Sequence, residues 1–196
     1  MAERPLTIDD YLRLTHEDDL YELIDGVLVE REMAAVWQHE QLFLWLARLV
    51  GEYVEAHQLG YVSGSRSAVK INEFRSRLPD LLFIRRERAH IITESIILEA
   101  PDWVLEIRSA GNRLAEWRAL EADYRVIGVP ELWLIDPVAR LVRVVRRVGN
   151  EYEAHEQHEG KLFSTAIEGF WVELDWLFKE PRPKVREALA QLGLRV

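Results

Sequence analysis

Two stretches decide the fold: Arg77-Leu78-Pro79-Asp80-Leu81-Leu82-Phe83-Ile84 and Pro101-Asp102-Trp103-Val104-Leu105-Glu106-Ile107-Arg108. Each is an apolar run of strand length, and each carries acid where a buried strand should have none. Side chains alternate across a strand, so Trp103, Leu105 and Ile107 form one apolar face while Asp102, Val104, Glu106 and Arg108 share the other. On that face Glu106 and Arg108 lie roughly 6.6 Å apart, within one site, whereas Asp102 and Glu106 are roughly 13 Å apart and cannot share an ion. A second acid for a site at Glu106 must therefore come from a neighbouring strand. Asp80, entering the earlier run behind Pro79, is the expected donor.

The flanking sequence supplies the rest of an α/β chain. Thr7 followed by Asp9 and Asp10 predicts a capped helix through Leu14. Asp25-Gly26 between Tyr21–Ile24 and Val27–Glu30 predicts a tight hairpin, with Glu22 either a third inward acid or a half-exposed edge residue. Val36 to His57 reads as the longest helix, stopped at Gly60, apolar around most of its circumference and carrying His39, read as a hydrogen-bonded packing residue. Tyr61–Ser63, Ala68–Ile71 and Pro79–Ile84 read as successive strands, and Ile91–Leu98 as either strand or helix. A turn at Ser109–Asn112 leads into a helix over Arg113–Ile127, closed by Gly128. The strand Leu132–Asp136 follows, so strand-helix-strand order predicts that it runs parallel to the Glu106 strand. Alternation from Arg140, a Gly149-Asn150 turn and Tyr152 predict an antiparallel extension. A strand end near Trp171–Phe178 and a helix over Val185–Leu194 complete the chain.

With 196 residues and 48% apolar content the chain can bury a good core, and with no repeat or linker it reads as a single domain over 1–196. It has no cysteine, which leaves oxygen or imidazole as metal ligands. No signal-peptide pattern or membrane-length apolar run occurs, so a cytoplasmic protein without membrane contact is expected. A net charge of −9 argues against indiscriminate binding to phosphate backbones but allows a local basic groove. Basic residues are 21 Arg against 4 Lys, with clusters at Arg75–Arg88 and Arg140–Arg147 that read as solvated strand faces.

Two or three acids at the ends of adjacent buried strands, with a cation two residues after one of them, suit a hard divalent ion such as Mg²⁺ and hence phosphodiester chemistry. A buried Asp and Glu neutralised by Arg108 or Arg113 is the competing reading on the residues alone. The chain also resembles the Uma2-type (DUF820) group of restriction-endonuclease-like proteins with the PD-(D/E)XK fold. The resemblance rests on Tyr21–Gly26, His39, Leu78-Pro79-Asp80, Ala100–Ser109, Tyr124, Gly128–Pro137 and Gly169. It implies a mixed, curved sheet with flanking helices and an antiparallel extension, and Mg²⁺- or Mn²⁺-dependent hydrolysis of DNA. Asp80 and Glu106 correspond to the family's metal-binding acids and Glu22 to an additional acid.

One departure bears on activity. The family's lysine, on the helix four residues before Tyr124, is here Leu120, and Glu116 stands where Asp is usual. Arg108 occupies the E-x-K position, able to hold a phosphate but not to act as a base, and Lys70 is the second substitute. Three classes remain open: a nuclease, a catalytically dead homologue that binds nucleic acid or a protein, and a metal-independent structural dimer. A homodimer is expected because the long helix is apolar nearly all round and the chain has 7 Trp.

Overall fold

The alternation in Trp103–Ile107 divides the molecule into two apolar layers on either side of one sheet. The computed structural model describes residues 4–16, 19–30, 37–64, 66–109 and 114–194. The strands are β1 (Tyr21–Ile24), β2 (Val27–Glu30), β3 (Gly60–Gly64), β4 (Val69–Asn72), β5 (Arg75–Arg77) and β6 (Leu81–Arg85), then β7 (Trp103–Ile107), β8 (Glu131–Asp136), β9 (Leu141–Val148), β10 (Glu151–Gln157), β11 (Lys161–Phe163) and β12 (Trp171–Glu173). The helices are α1 (Ile8–Leu14), α2 (Trp37–Ala56), α3 (Leu114–Ile127), α4 (Leu174–Phe178) and α5 (Val185–Gln191).

Six strands form the sheet in the order β10-β9-β8-β7-β6-β3. The β7–β8 pair is parallel, as the α3 crossover requires, and the other pairs are antiparallel. Trp103, Leu105, Ile107, Trp133 and Ile135 point to one face, where α2, α4 and α5 cover them. Val104, Leu132, Leu134 and Val145 point to the other, against Tyr124 of α3. A small third cluster joins Ile8 and Tyr11 of α1 to Leu23 and Leu78. This is the expected mixed α/β architecture.

Several expectations need correction. Val36 and Ala110–Arg113 lie outside the described residues, so neither the first residue of the predicted long helix nor the predicted turn and Arg113 is described. The helix α2 does not end on a glycine cap. Gln58 takes the left-handed conformation, and Gly60 is required instead by β3, where a Cβ would stand 2.1 Å from the Ile84 carbonyl oxygen. Ala68–Ile71 does not join the main sheet. It yields β4, which forms a separate two-stranded sheet with β5, a strand that its Arg-Ser-Arg sequence hid. In Ile91–Leu98 only Ile91 is helical, closing a 3-10 turn over Arg86–Ile91, and the rest is an irregular connection pinned by single bridges from Ile97 to Val69 and Ile92. The apolar circumference of α2 is largely covered within the chain, by the sheet and by the C-terminal segment. There Trp45 stacks edge-on to Trp176 at 6.3 Å and donates its Nε1–H to the Pro183 carbonyl at 2.8 Å.

The arginine clusters are not simply solvated. Arg146 reaches Glu131, which is fully buried and accepts from five donors: Arg146 Nε (3.0 Å), Trp133 Nε1 (3.0 Å), Ser164 Oγ (2.7 Å) and the N–H groups of Thr165 (2.8 Å) and Ala166 (3.0 Å). A buried carboxylate is tolerated only when so satisfied, and here it fastens the loop after β11 to the parallel strand pair. Glu131→Ala removes the acceptor of all five donors, of which only Ala166 has a second one among the described residues, Ser164 Oγ, and is expected to cost about 3–5 kcal/mol. Glu131→Gln, which keeps one acceptor oxygen, should cost clearly less. Urea denaturation midpoints of the two variants check the ordering.

Candidate functional site

The site is built where β6 and β7 pair. The ladder runs Leu81↔Leu105, Leu82↔Val104 and Phe83↔Trp103, so the next step sets Asp80 opposite Glu106. Asp80 closes the ladder itself, its Oδ2 accepting the Ile107 N–H at 2.7 Å. At the other end of the same pair Asp102 accepts the Arg85 N–H at 2.9 Å. Both acids follow a proline, which has no N–H to offer a ladder and so marks where pairing must begin. Each strand thus starts with an aspartate that caps the end of its partner.

Only the Asp80 end carries further chemistry. Glu106 and Asp80 are each 2% exposed. The Tyr124 hydroxyl, wholly buried, donates to Glu106 Oε1 at 2.6 Å. Burial, and then the neighbouring Glu106 charge, push the Tyr124 phenol well above its ordinary range, so it stays a donor. His39 enters from α2 with Nε2 3.2 Å from the Ile107 carbonyl oxygen and 3.5 Å from Asp80 Oδ2. It is the hydrogen-bonded helical residue expected from sequence, set here beside Asp80. Asp123, the residue before Tyr124, accepts Arg77 Nε at 2.7 Å and Arg75 Nη1 at 2.9 Å. Arg77 also holds Glu22 at 2.8 Å, and the Leu78 N–H donates to the other Glu22 oxygen at 3.0 Å.

The site residues expected from sequence therefore separate. Asp80 and Glu106 come together at the strand ends. Glu22 sits nearby as an arginine partner, and among the described residues no three His, Asp or Glu side chains converge as a metal cluster. Arg108 turns to Asp136 at the end of β8, 2.6 Å away. Burial pushes the Asp136 carboxyl up, but the Ala139 and Val138 N–H groups and Arg108 outweigh it and hold the carboxyl below its ordinary range. Lys70 lies in a groove with Leu98, Ala100, Ile127, Gly128 and Pro130, beside the C-terminal end of α3, whereas Glu106 meets Tyr124 one turn earlier. Leu120, one turn before Tyr124, packs partly buried against the cluster containing Val104 and Leu134.

Sequence reading missed Asp123 and the inward turn of Arg77. The available signal was the Asp123-Tyr124 pair itself, two polar residues where an amphipathic helix approaches a sheet.

The sequence model of the Uma2 family, described as "Putative restriction endonuclease", matches residues 8–176. The chain belongs to the Uma2 family. The crystal structure of a "putative nuclease belonging to DUF820" from Anabaena variabilis ATCC 29413 superposes with a TM-score of 0.74 at 21% identity, covering 89% of this chain and 98% of that one. That similarity establishes the restriction-endonuclease-like fold. No curated protein matches the chain. No helix among the described residues is long and apolar enough to cross a membrane.

Within this Uma2 chain the two capping aspartates form an internal comparison. Asp80→Ala and Asp102→Ala each leave a strand-end N–H without its acceptor and should each cost about 1–3 kcal/mol, while the corresponding Asn variants, which keep an acceptor, recover most of it. Equilibrium unfolding of the four variants measures this. Alanine at 80 therefore confounds stability with chemistry, and asparagine is the cleaner probe.

Proposed function

We propose that this Uma2 chain is a metal-dependent nuclease that hydrolyses DNA phosphodiester bonds, with Asp80 and Glu106 as its metal-binding acids. The observation that carries the reading is the β6–β7 register, which brings two buried carboxylates from adjacent strands to one strand end. The donor set fits a hard cation such as Mg²⁺ or Mn²⁺: oxygen only, in a chain without cysteine, with peptide carbonyl and water left to complete the shell. Each hydrogen bond from Ile107 N–H or Tyr124 O–H engages one carboxylate oxygen and orients the acid, and each such oxygen has two lone pairs. Bound there, such an ion would lower the pKa of a water and neutralise charge developing on a phosphate. Tyr124 holds Glu106 in place, His39 steadies the Ile107 carbonyl, and Arg108 is the group that would meet a phosphate. The homodimer expected from α2 belongs to the same proposal, with Trp37 and Leu44 as the apolar side chains of that helix left exposed.

Calorimetric titration with Mn²⁺ or Mg²⁺ tests the reading apart from catalysis. Uptake by the wild type, lost in Asp80→Asn and Glu106→Gln but kept in Asp102→Asn, is the expected result. Cleavage of plasmid and linear DNA in the same ions should follow the same pattern. No uptake by the wild type would overturn the proposal.

A second reading, a nuclease fold that binds without cutting, is favoured by one observation: the family's helix lysine is an apolar residue packed on the core. Leu120→Lys discriminates. Leu120 is only partly buried, so a lysine can keep its stem on Val104 and Leu134 and extend its ammonium toward solvent at modest cost in stability. If the chain is an enzyme deprived of its lysine, this variant should gain cleavage by an order of magnitude or more. A folded variant that takes up metal and gains nothing would favour the binding-only account.

A further inference from the structure

Beside the acid pair lies a cleft of about 620 Å³ that neither the strand-end acids nor the family's motifs account for. Its walls are α3 on one side and β8, β9 and β10 on the other, and its floor is apolar, from Leu134 and Leu141. Trp117 lines it, partly buried and packed against the core cluster. Four guanidiniums face it, Arg108, Arg118, Arg125 and Arg143, against three carboxylates, Glu121, Asp136 and Glu156. In a chain of net charge −9 this is a local reversal of sign.

The charges are arranged unequally. Arg125 and Arg143 are both spent on Glu121, at 2.5 and 2.8 Å, and burial of that carboxyl is outweighed by the two cations, which hold it below its usual range. Arg108 pairs with Asp136, whose other oxygen already accepts the N–H groups of Val138 and Ala139. Arg108 can therefore exchange Asp136 for a phosphate without orphaning it. Arg118, next to Trp117 in α3, is exposed at the cleft. A cleft lined by an indole and several guanidiniums suits a nucleotide whose base is unstacked, since a duplex base has no face to offer.

From this we infer that the α3–β8–β9 cleft is a subsite for one or two nucleotides of an unpaired nucleic-acid strand leading from the acid pair, the base on Trp117 and the phosphate between Arg108 and Arg118. Arg108, two residues beyond Glu106, and Leu134, paired with Glu106 across β7–β8, both line the cleft and set it next to the strand ends. The inference rests on the nuclease reading for why a strand lies there.

The test is fluorescence anisotropy of a 5′-labelled hexathymidylate, with and without its complement, in EDTA, so that metal uptake and cleavage play no part. Wild type should bind the single strand more tightly than the duplex, with affinity falling steeply as salt rises. Trp117→Leu should weaken binding about 5- to 150-fold, the loss typical of one stacked base, and Trp117→Phe should restore much of it. Arg118→Glu, on an exposed position that folding does not need, should weaken it further and reduce the salt slope. Arg186→Ala, on the far side of the molecule in α5, should leave binding unchanged. Equal affinity of wild type, Trp117→Leu and Arg118→Glu, a preference for duplex, or no binding at all would overturn the subsite. In each of those cases metal uptake at Asp80 and Glu106, measured separately, would still decide the nuclease reading.

Discussion

An antiparallel pair of three rungs cannot close its own ends, and the rest of this site follows from how β6 and β7 are closed. Beyond the ladder each strand presents one more N–H, buried at Ile107 and part-buried at Arg85. The aspartate that begins the opposite strand takes each one. A buried acid is thus required at both positions for purely structural reasons, and its presence at residue 80 is no sign of chemistry by itself. What separates the two ends is company. Asp102 meets Arg88 and Arg85 near the surface, whereas Asp80 meets a second buried acid, an imidazole and a peptide carbonyl.

The helix α3 makes that company rigid. Two consecutive residues reach two different strands, Asp123 to the arginines of β5 and Tyr124 to the glutamate of β7, so the helix can neither rotate nor slide without breaking charge-assisted bonds on both sides. Its cleft-side stripe, Trp117, Arg118, Glu121 and Arg125, forms a wall of the cleft. The opposite face of the sheet is given over to tryptophan packing, with Trp103 edge-on to Trp133 at 5.3 Å and no acid from the β7–β8 pair except the satisfied Glu131. Rigidity on one face and polar function on the other is what a preorganised site needs.

The parts of this arrangement legible in the sequence were those governed by local periodicity. The two faces of β7, the parallel β7–β8 pair, the Asp25-Gly26 turn and the adjacency of Asp80 and Glu106 all follow from alternation, turn chemistry and chain order. Partner choice among charged residues was not legible. Arg77, Arg143 and Arg146 sit in stretches that alternate as solvated strands do, and nothing local says that Asp123, Glu121 and Glu131 wait for them across the fold. Short strands of poor propensity, β5 and β11, were invisible for a similar reason: their pairing is decided by neighbours remote in sequence.

The same geometry narrows the question of the missing lysine. Of the two substitutes the sequence offered, Lys70 faces a groove at the far end of α3, beside Gly128, so it would have to leave Ile71 and Leu98 and cross the helix terminus to reach Glu106. Arg77 is held by two carboxylates at once and cannot turn without stranding both. The carboxylate that Arg108 holds, Asp136, is itself supported by two N–H groups, and the Arg108 side chain is 32% exposed. Its departure toward a phosphate would leave Asp136 with donors of its own. Yet a guanidinium stays protonated at any pH the fold survives and can hold charge without moving a proton. A strand seated by Arg108 would be well placed and poorly deprotonated, and any proton transfer would fall to water held by the acids. In this chain the difference between binding and cutting therefore rests on how far two carboxylates can work without a titratable ammonium beside them.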